Sequence, residues 1–289
     1  MLQREQIDYL LVNAYNAAIR AGARIMEIYN SDDFGINVKS DNSPTTLADR
    51  EAHSIIKQYL GQTRIPILSE EGRNILYEER GTWDLFWMVD PLDGTREFIA
   101  QESHEFTVNI ALMVENEPFL GVVYLPCFDK IYFSDMDRGA FVKEGVKATA
   151  DASYAINEIY PGAQELPLAT GQNAPVRVTV SRLSTSPDAN RFIELLRERA
   201  GEVEVVPVGS SLKFCLVAEG TADLYVRTTL TYEWDTAAGQ AIAAATGAKT
   251  LDMISRGALK YNKNELENPY FICKSKYIPD LIPAFSPNL

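Results

Sequence analysis

Asp90-Pro91-Leu92-Asp93-Gly94-Thr95 sets two carboxylates three positions apart, directly after the apolar run Leu85-Phe86-Trp87-Met88-Val89. Hard oxygen ligands in that arrangement suit magnesium, and a short helix starting near Thr95 would aim backbone N–H groups at an anion such as phosphate. Pro91 restricts the turn, and Gly94 lets the backbone come close to a ligand. An Asp-rich capped turn fits the same six residues. Two further acidic stretches bear on the choice: Ser69-Glu70-Glu71 after the apolar Ile65-Pro66-Ile67-Leu68, and Trp234-Asp235-Thr236-Ala237-Ala238 at the head of a small-residue run. Taken singly, Asp235 reads as a helix N-cap and Glu70 and Glu71 as solvated loop charges. If the three stretches converge, their carboxylates repel one another unless cations sit between them.

The elements that must position these residues show in the apolar periodicity. Ile7, Leu10, Leu11, Ala14, Ala17, Ala18, Ala21, Ile25 and Ile28 form a helical stripe, which predicts a long amphipathic N-terminal helix. Asn42-Ser43-Pro44-Thr45 is helix-start chemistry, with capping side chains and a proline suited to the first turn, for a helix running to about Leu60. Leu85 to Val89 reads as a strand buried on both faces. From Phe106 to about Val142, β-rich segments broken by turn residues read as an antiparallel meander. Beyond residue 175, strands at 176–181, 203–207, 222–226 and near 248–252 alternate with helices at 187–200, 210–220 and 235–246. That alternation marks an α/β layer. The expected division is an α+β domain over 1–150, an irregular connection over 151–175, and an α/β domain over 176–289 that brings Asp235. The stretch 145–175 reads equally as a surface excursion, an oligomer contact or a lid.

Composition narrows the partners. In 289 residues, 27 Lys and Arg face 40 Asp and Glu, a formal charge of −13, with a pI near 4.7. A nucleic-acid backbone is therefore not the expected partner, and an acidic protein that handles phosphate needs cations as a bridge. Cys127, Cys215 and Cys273 lie far apart, and with only His53 and His104 beside them neither a disulfide framework nor a Cys/His zinc site is legible. Cys215, between Leu212 and Leu216, reads as core rather than nucleophile, and the two histidines as structural or surface residues. The N-terminal stretch carries charges throughout, so no signal peptide is expected, and no run approaches 18 apolar residues. A reducing cytoplasm is the expected compartment. No P-loop motif is present.

Asp49, Glu70-Glu71, Asp90 to Thr95 and Trp234 to Ala238 together follow, in order and at long separations, a scattered signature: Asp, Glu-Glu, D-P-[IL]-D-[GS]-T and W-D-x-A-A. On these residues the chain resembles the lithium-sensitive, magnesium-dependent phosphomonoesterases that include inositol monophosphatases and bisphosphate nucleotidases. Asp41-Asn42-Ser43-Pro44, the stretch from Glu105 to Leu112 and the stretch from Gly209 to Gly220 are similar to the CysQ-type 3′(2′),5′-bisphosphate nucleotidase branch. The resemblance implies a layered αβαβα sugar-phosphatase fold, α+β in its first half and α/β in its second.

The same resemblance implies that Glu70, Asp90, the Leu92 carbonyl, Asp93 and Asp235 bind two or three magnesium ions. Thr95 would orient the attacking water with Asp49 accepting through its hydroxyl, so that Asp49, Thr95 and Glu70 form the catalytic set. The chemistry is demanding, since enzymes accelerate phosphate-monoester hydrolysis by up to about 10²¹-fold. Gly94, Thr95, Ser210, Lys213, Arg227 and Asp235 would contact the substrate, with Lys213 and Arg227 near a second phosphate or the ribose. Two departures stand out: Ser181-Arg182-Leu183-Ser184 where relatives commonly read Ser-Arg-Ser-His, and Arg96 in place of a frequent lysine. The implied reaction is hydrolysis of the 3′-phosphate of adenosine 3′,5′-bisphosphate to AMP, with 3′-phosphoadenylyl sulfate as a second substrate and lithium as inhibitor. An inositol or sugar-phosphate phosphatase would use the same metal site. A silent phosphate sensor would have lost a metal ligand or the water-orienting pair, and none is missing. Some bacterial relatives touch the inner face of the membrane, but no amphipathic basic segment here supports that.

Overall fold

Alternate residues of the apolar run at 85–89 pack into different cores: Trp87 and Val89 into one, Phe86 and Met88 into another. A strand with both faces covered is the centre of a layered protein. The chain is seen in a computed structural model that describes residues 2–38, 44–72, 74–169, 175–182, 186–278, 282, 283 and 285. Asp41, Asn42 and Ser43 of one sequence motif, and Leu183 and Ser184 of another, lie outside the described residues.

Helix α1 (Arg4–Tyr29) is followed by the short antiparallel pair β1 (Asn37–Val38) and β2 (Pro44–Thr45), then α2 (Leu47–Leu60). Next come β3 (Ile67–Ser69), the single turn α3 (Tyr77–Arg80), β4 (Leu85–Asp93) and α4 (Thr95–Ala100). The meander follows as β5 (Thr107–Val114), β6 (Glu117–Leu125), β7 (Lys130–Asp135) and β8 (Gly139–Glu144). Within the stretch read as irregular, α5 (Ile156–Ile159) and β9 (Gln164–Glu165) form, and β9 pairs with β8 at the sheet edge. These strands make one sheet in the order β3-β4-β5-β6-β7-β8-β9, parallel only between β3 and β4.

The second sheet comes from β10 (Val176–Ser181), β11 (Val203–Val208), β12 (Leu224–Arg227), β13 (Lys249–Asp252) and β14 (Phe271–Lys274), with α6 (Pro187–Ala200), α7 (Leu212–Glu219) and α8 (Glu233–Ala245) between them. Its order is β11-β10-β12-β14-β13. The first three strands are parallel; β14, a strand the sequence patterning did not announce, inserts antiparallel between β12 and β13.

Five layers result. Helices α1 and α2 cover one face of the seven-stranded sheet through Ile25, Ile56, Val108 and Ile110. Helices α7 and α8 fill the space between the sheets with Phe214, Ala237, Ala238 and Ile242 against Met88, Ala111, Tyr225 and Phe271. Helix α6 covers the outer face of the second sheet through Phe192 and Leu196. This is the αβαβα arrangement. The middle helices are rich in small residues because the backbones approach closely. A Cβ on Gly121 of β6 would overlap the Ala238 carbonyl oxygen and come within 2.9 Å of Ala241 Cβ, so a bare backbone seats α8 on the sheet. Among the described residues no helix is long and apolar enough to cross a membrane.

Two helix starts differ from the sequence expectation. Pro44 and Thr45 belong to β2, and α2 is capped by Thr46, whose Oγ1 accepts from the backbone N–H groups of Ala48 and Asp49 at 3.1 and 3.4 Å. Thr46-Leu47-Ala48-Asp49 is a capping box, and a threonine cap contributes about 1 kcal/mol, so the later start wins over the proline. Helix α8 likewise begins at Glu233 with Tyr232 as its cap residue, so Asp235 is the third residue of the helix rather than its cap.

Candidate active site

Period-two geometry puts Asp90 on the same face of β4 as Phe86 and Met88, toward α7 and α8. The strand then bulges: Asp90 pairs with Asn109 and Asp93 with Thr107, three steps against two. Asp90 Oδ1 accepts from the Leu92 N–H at 3.0 Å and closes the bulge. Such a bulge re-aims side chains at a strand end. Gly94 follows at φ +92°, and its missing Cβ would lie 3.3 Å from Phe106 Cα, so the strand can turn straight into α4.

A cavity of about 410 Å³ opens at this strand end. Glu70, Asp90, Leu92, Asp93, Gly94, Thr95, Ser210, Lys213, Arg227 and Asp235 all line it, from both sheets and the helices between. The three acidic stretches thus come to one place. Asp49 is the predicted site residue that does not line the cavity. It sits behind Thr95, 1 % exposed, with Oδ1 3.1 Å from Thr95 Oγ1. Its Oδ2 accepts from the Thr46 N–H and hydroxyl at 2.7 and 2.6 Å, so the capping box that starts α2 also fixes this carboxylate.

Electrostatics set the carboxylates apart from ordinary ones. Burial pushes the Asp49 pKa up to about 6, against the Thr46 hydrogen bonds that favour its charge. Asp90 is raised well above the usual range by burial and then by Glu70, Asp93 and Asp235, and it shares a hydrogen bond with Glu70. Asp235 is raised by burial and by Asp93 and Glu70, while the Tyr232 N–H, 2.8 Å from its Oδ2, works the other way. Two carboxyl groups share a hydrogen bond only with a proton between them. Left unscreened these carboxylates repel one another, and a donor set of hard oxygens fits divalent cations. Among the described residues no three His, Cys, Asp or Glu side chains close into a ready-made metal cage.

Several residues at the site have no individual role assigned from the sequence, although Glu105 and Ser211 fall within stretches similar to the CysQ-type branch. Ser211 Oγ lies 2.8 Å from Asp93 Oδ2 and 2.8 Å from the Asp235 carbonyl, and accepts from Asn109 Nδ2 at 2.8 Å. It ties the end of β4 and β5 to the first turn of α8 at the point where Asp93 and Asp235 approach. Glu105 accepts from the Gly209 N–H at 2.7 Å and from Arg182 Nε and Nη2 at 3.1 and 2.8 Å, clamping the loop before α7. That loop carries Ser210 at φ +44°.

The basic residues are committed to the backbone as well as facing the cavity. Lys213, 2 % exposed, donates from Nζ to the carbonyls of Val208 and Ser210 at 3.1 and 2.6 Å. Burial, then Arg227, brings its pKa down to about 8. Arg227 donates to the carbonyls of Thr229 and Leu230 at 3.3 and 3.0 Å and so braces the cavity's outer wall. His53 pairs with Ser69 Oγ at 2.9 Å, and His104 with the Tyr29 hydroxyl at 2.5 Å. Neither lines the cavity. Cys215 is fully buried in the middle layer.

Comparison with known proteins agrees with this arrangement. The inositol monophosphatase family profile matches residues 6–285. The 3′(2′),5′-bisphosphate nucleotidase CysQ of Salmonella typhimurium is 38 % identical over 257 residues, covering 86 % of this chain and 95 % of that protein. The crystal structure of CysQ from Bacteroides thetaiotaomicron, a bacterial member of the inositol monophosphatase family, superimposes with a TM-score of 0.82 at 42 % identity, covering 91 % of this chain and 96 % of that one. Inositol monophosphatase from Anabaena shares the fold, with a TM-score of 0.66 at 21 % identity over 96 % of this chain and 93 % of that one. The chain belongs to the inositol monophosphatase family.

Proposed function

We propose that this protein is a magnesium-dependent 3′(2′),5′-bisphosphate nucleotidase that hydrolyses the 3′-phosphate of adenosine 3′,5′-bisphosphate to AMP and phosphate, with 3′-phosphoadenylyl sulfate as a second substrate. The observation that carries this reading is the convergence of Glu70, Asp90, Asp93 and Asp235 with Thr95 and the cation Lys213 on one cavity. Two relatives that share its sequence at 38 % and 42 % identity are CysQ proteins, the first named as this nucleotidase.

Glu70, Asp90, the Leu92 carbonyl, Asp93 and Asp235 would hold the ions, two or three in number. The chemistry magnesium supplies when bound is Lewis acidity toward the phosphoryl oxygens. The chain's own residues do the rest. Thr95, donating to Asp49 Oδ1, keeps its lone pairs free to accept a hydrogen from the attacking water and so orient it. As the water attacks, its proton passes toward the Thr95 hydroxyl while the Thr95 proton moves to Asp49. The fixed Thr46 hydrogen bonds hold Asp49 in place for that transfer. Lys213 and Arg227, which line the same cavity, would meet the phosphate that is not cleaved. With a net charge of −13, the protein depends on these cations and the metal to admit an anion at all, and nucleic acid is not its partner. We place the reaction in the cytoplasm, in keeping with three unpaired cysteines.

The test is phosphate release from adenosine 3′,5′-bisphosphate and inositol 1-phosphate, with and without magnesium, calcium and lithium. Magnesium-dependent, lithium-inhibited turnover favouring the nucleotide is the expected result. A marked preference for the inositol ester would overturn the substrate assignment.

A further inference from the structure

Glu97 is a buried carboxylate on the cavity wall that the mechanism above leaves without a task. It lies two residues after Thr95 in α4, is 8 % exposed, and lines the same cavity as Thr95 and Lys213. Its carboxylate takes a hydrogen bond from its own backbone N–H, and it forms no ion pair with a Lys or Arg side chain among the described residues. Burial, helped by Asp93 and Glu105, pushes its pKa up, and Lys213 pulls the other way. A cavity that takes anions loses affinity through an extra carboxylate unless the ligand brings a donor to it.

Resting on the nucleotidase reading, we infer that Glu97 accepts a hydrogen bond from the free ribose hydroxyl beside the reacting phosphoester, and so selects nucleotides that carry it. In adenosine 3′,5′-bisphosphate the 2′-hydroxyl is the one unesterified sugar hydroxyl, on the carbon next to the bond that breaks. In the 2′,5′ isomer the 3′-hydroxyl takes that place, so a single carboxylate serves both. The adenine amino group is also a donor, but it lies at the far end of the nucleoside from the reacting phosphate. Glu97 shares a six-residue helix with Thr95, which faces the reacting end.

The test measures kcat/KM for adenosine 3′,5′-bisphosphate and its 2′-deoxy analogue, with inositol 1-phosphate as a third arm, in wild type, Glu97→Ala and Glu97→Gln. Wild type should favour the ribonucleotide by about 10- to 100-fold, the size of a hydrogen bond to a buried charge. Glu97→Ala should erase the preference, and Glu97→Gln, which keeps an oxygen acceptor, should retain part of it. No ribose preference in wild type, or an equal loss on both nucleotides in Glu97→Ala with the ratio kept, would overturn the inference. Wild type that hydrolyses the inositol ester but neither nucleotide would instead overturn the nucleotidase reading beneath it.

Discussion

Thr95 Oγ1 and Asp49 Oδ1 lie 3.1 Å apart although 46 residues separate them, and the contact joins the first turn of α4 to the first turn of α2. A hydroxyl at a cavity wall backed by a carboxylate inside the protein is an arrangement for moving a proton inward. Asp49→Asn and Thr95→Ala should each lower kcat about 10²- to 10⁴-fold with little change in KM, the scale of a lost general base. Steady-state kinetics at saturating magnesium checks this, and a loss confined to KM would contradict it.

The metal-free protein should lose stability as pH rises. Asp90 and Asp235 have folded-state pKa values raised well above 3.8, and Asp49 is raised to about 6. The folded state therefore binds more protons than the unfolded one above the ordinary carboxylate range. Stability falls as pH climbs from about 4 through those raised values. Magnesium should reverse this, raising Tm more at pH 8 than at pH 5. Thermal unfolding in chelator and in magnesium across that range reads it directly, and a pH-independent metal shift would contradict the shared cation site.

Lys213 should show two signatures. Its pKa near 8 means that the ammonium is lost as pH rises past that value, so KM for a bisphosphate should climb between pH 7 and 9. Lys213→Ala should raise KM for the bisphosphate more than for a nucleoside 3′-monophosphate. Equal effects on both esters would remove Lys213 from the second phosphate.

Ser211→Ala removes the hydroxyl that sits between Asp93 Oδ2 and the Asp235 carbonyl, donating to one of them, and that accepts from Asn109 Nδ2. The expected cost is about 1–3 kcal/mol in unfolding free energy. Magnesium affinity should drop by about 10- to 100-fold, as for other groups that orient metal ligands. Urea unfolding and a magnesium titration of activity measure the two separately.

How far the sequence discloses this molecule can be followed through particular residues. Leu85 to Val89 announced a covered strand, and the alternation after residue 175 announced the second layer, because burial on two faces leaves a continuous apolar signal. Phe271–Lys274 carries no such signal, since it is a short strand that inserts between two others and its place depends on partners remote in sequence. The start of α2 is not legible in the sequence because Asn42, Ser43 and Thr46 are all competent caps, and only the reach of Asp49 to the Thr46 N–H selects among them. The acidic stretches were conspicuous by type and spacing. Ser211 and Glu105 were not, because a serine before a helix and a glutamate in a loop acquire meaning only when distant chain comes to meet them.

The seat of α8 on Gly121 has a consequence for how this site can vary. Asp235 stands in the first turn of α8, at the tip of a rod whose height is fixed by a bare patch of β6. A methyl group introduced at 121 would lift that rod and tilt its tip, opening the gap between Asp235 and the strand that bears Asp90 and Asp93. Tolerance at a position that lines no part of the cavity is thereby limited by the spacing of the carboxylates that do.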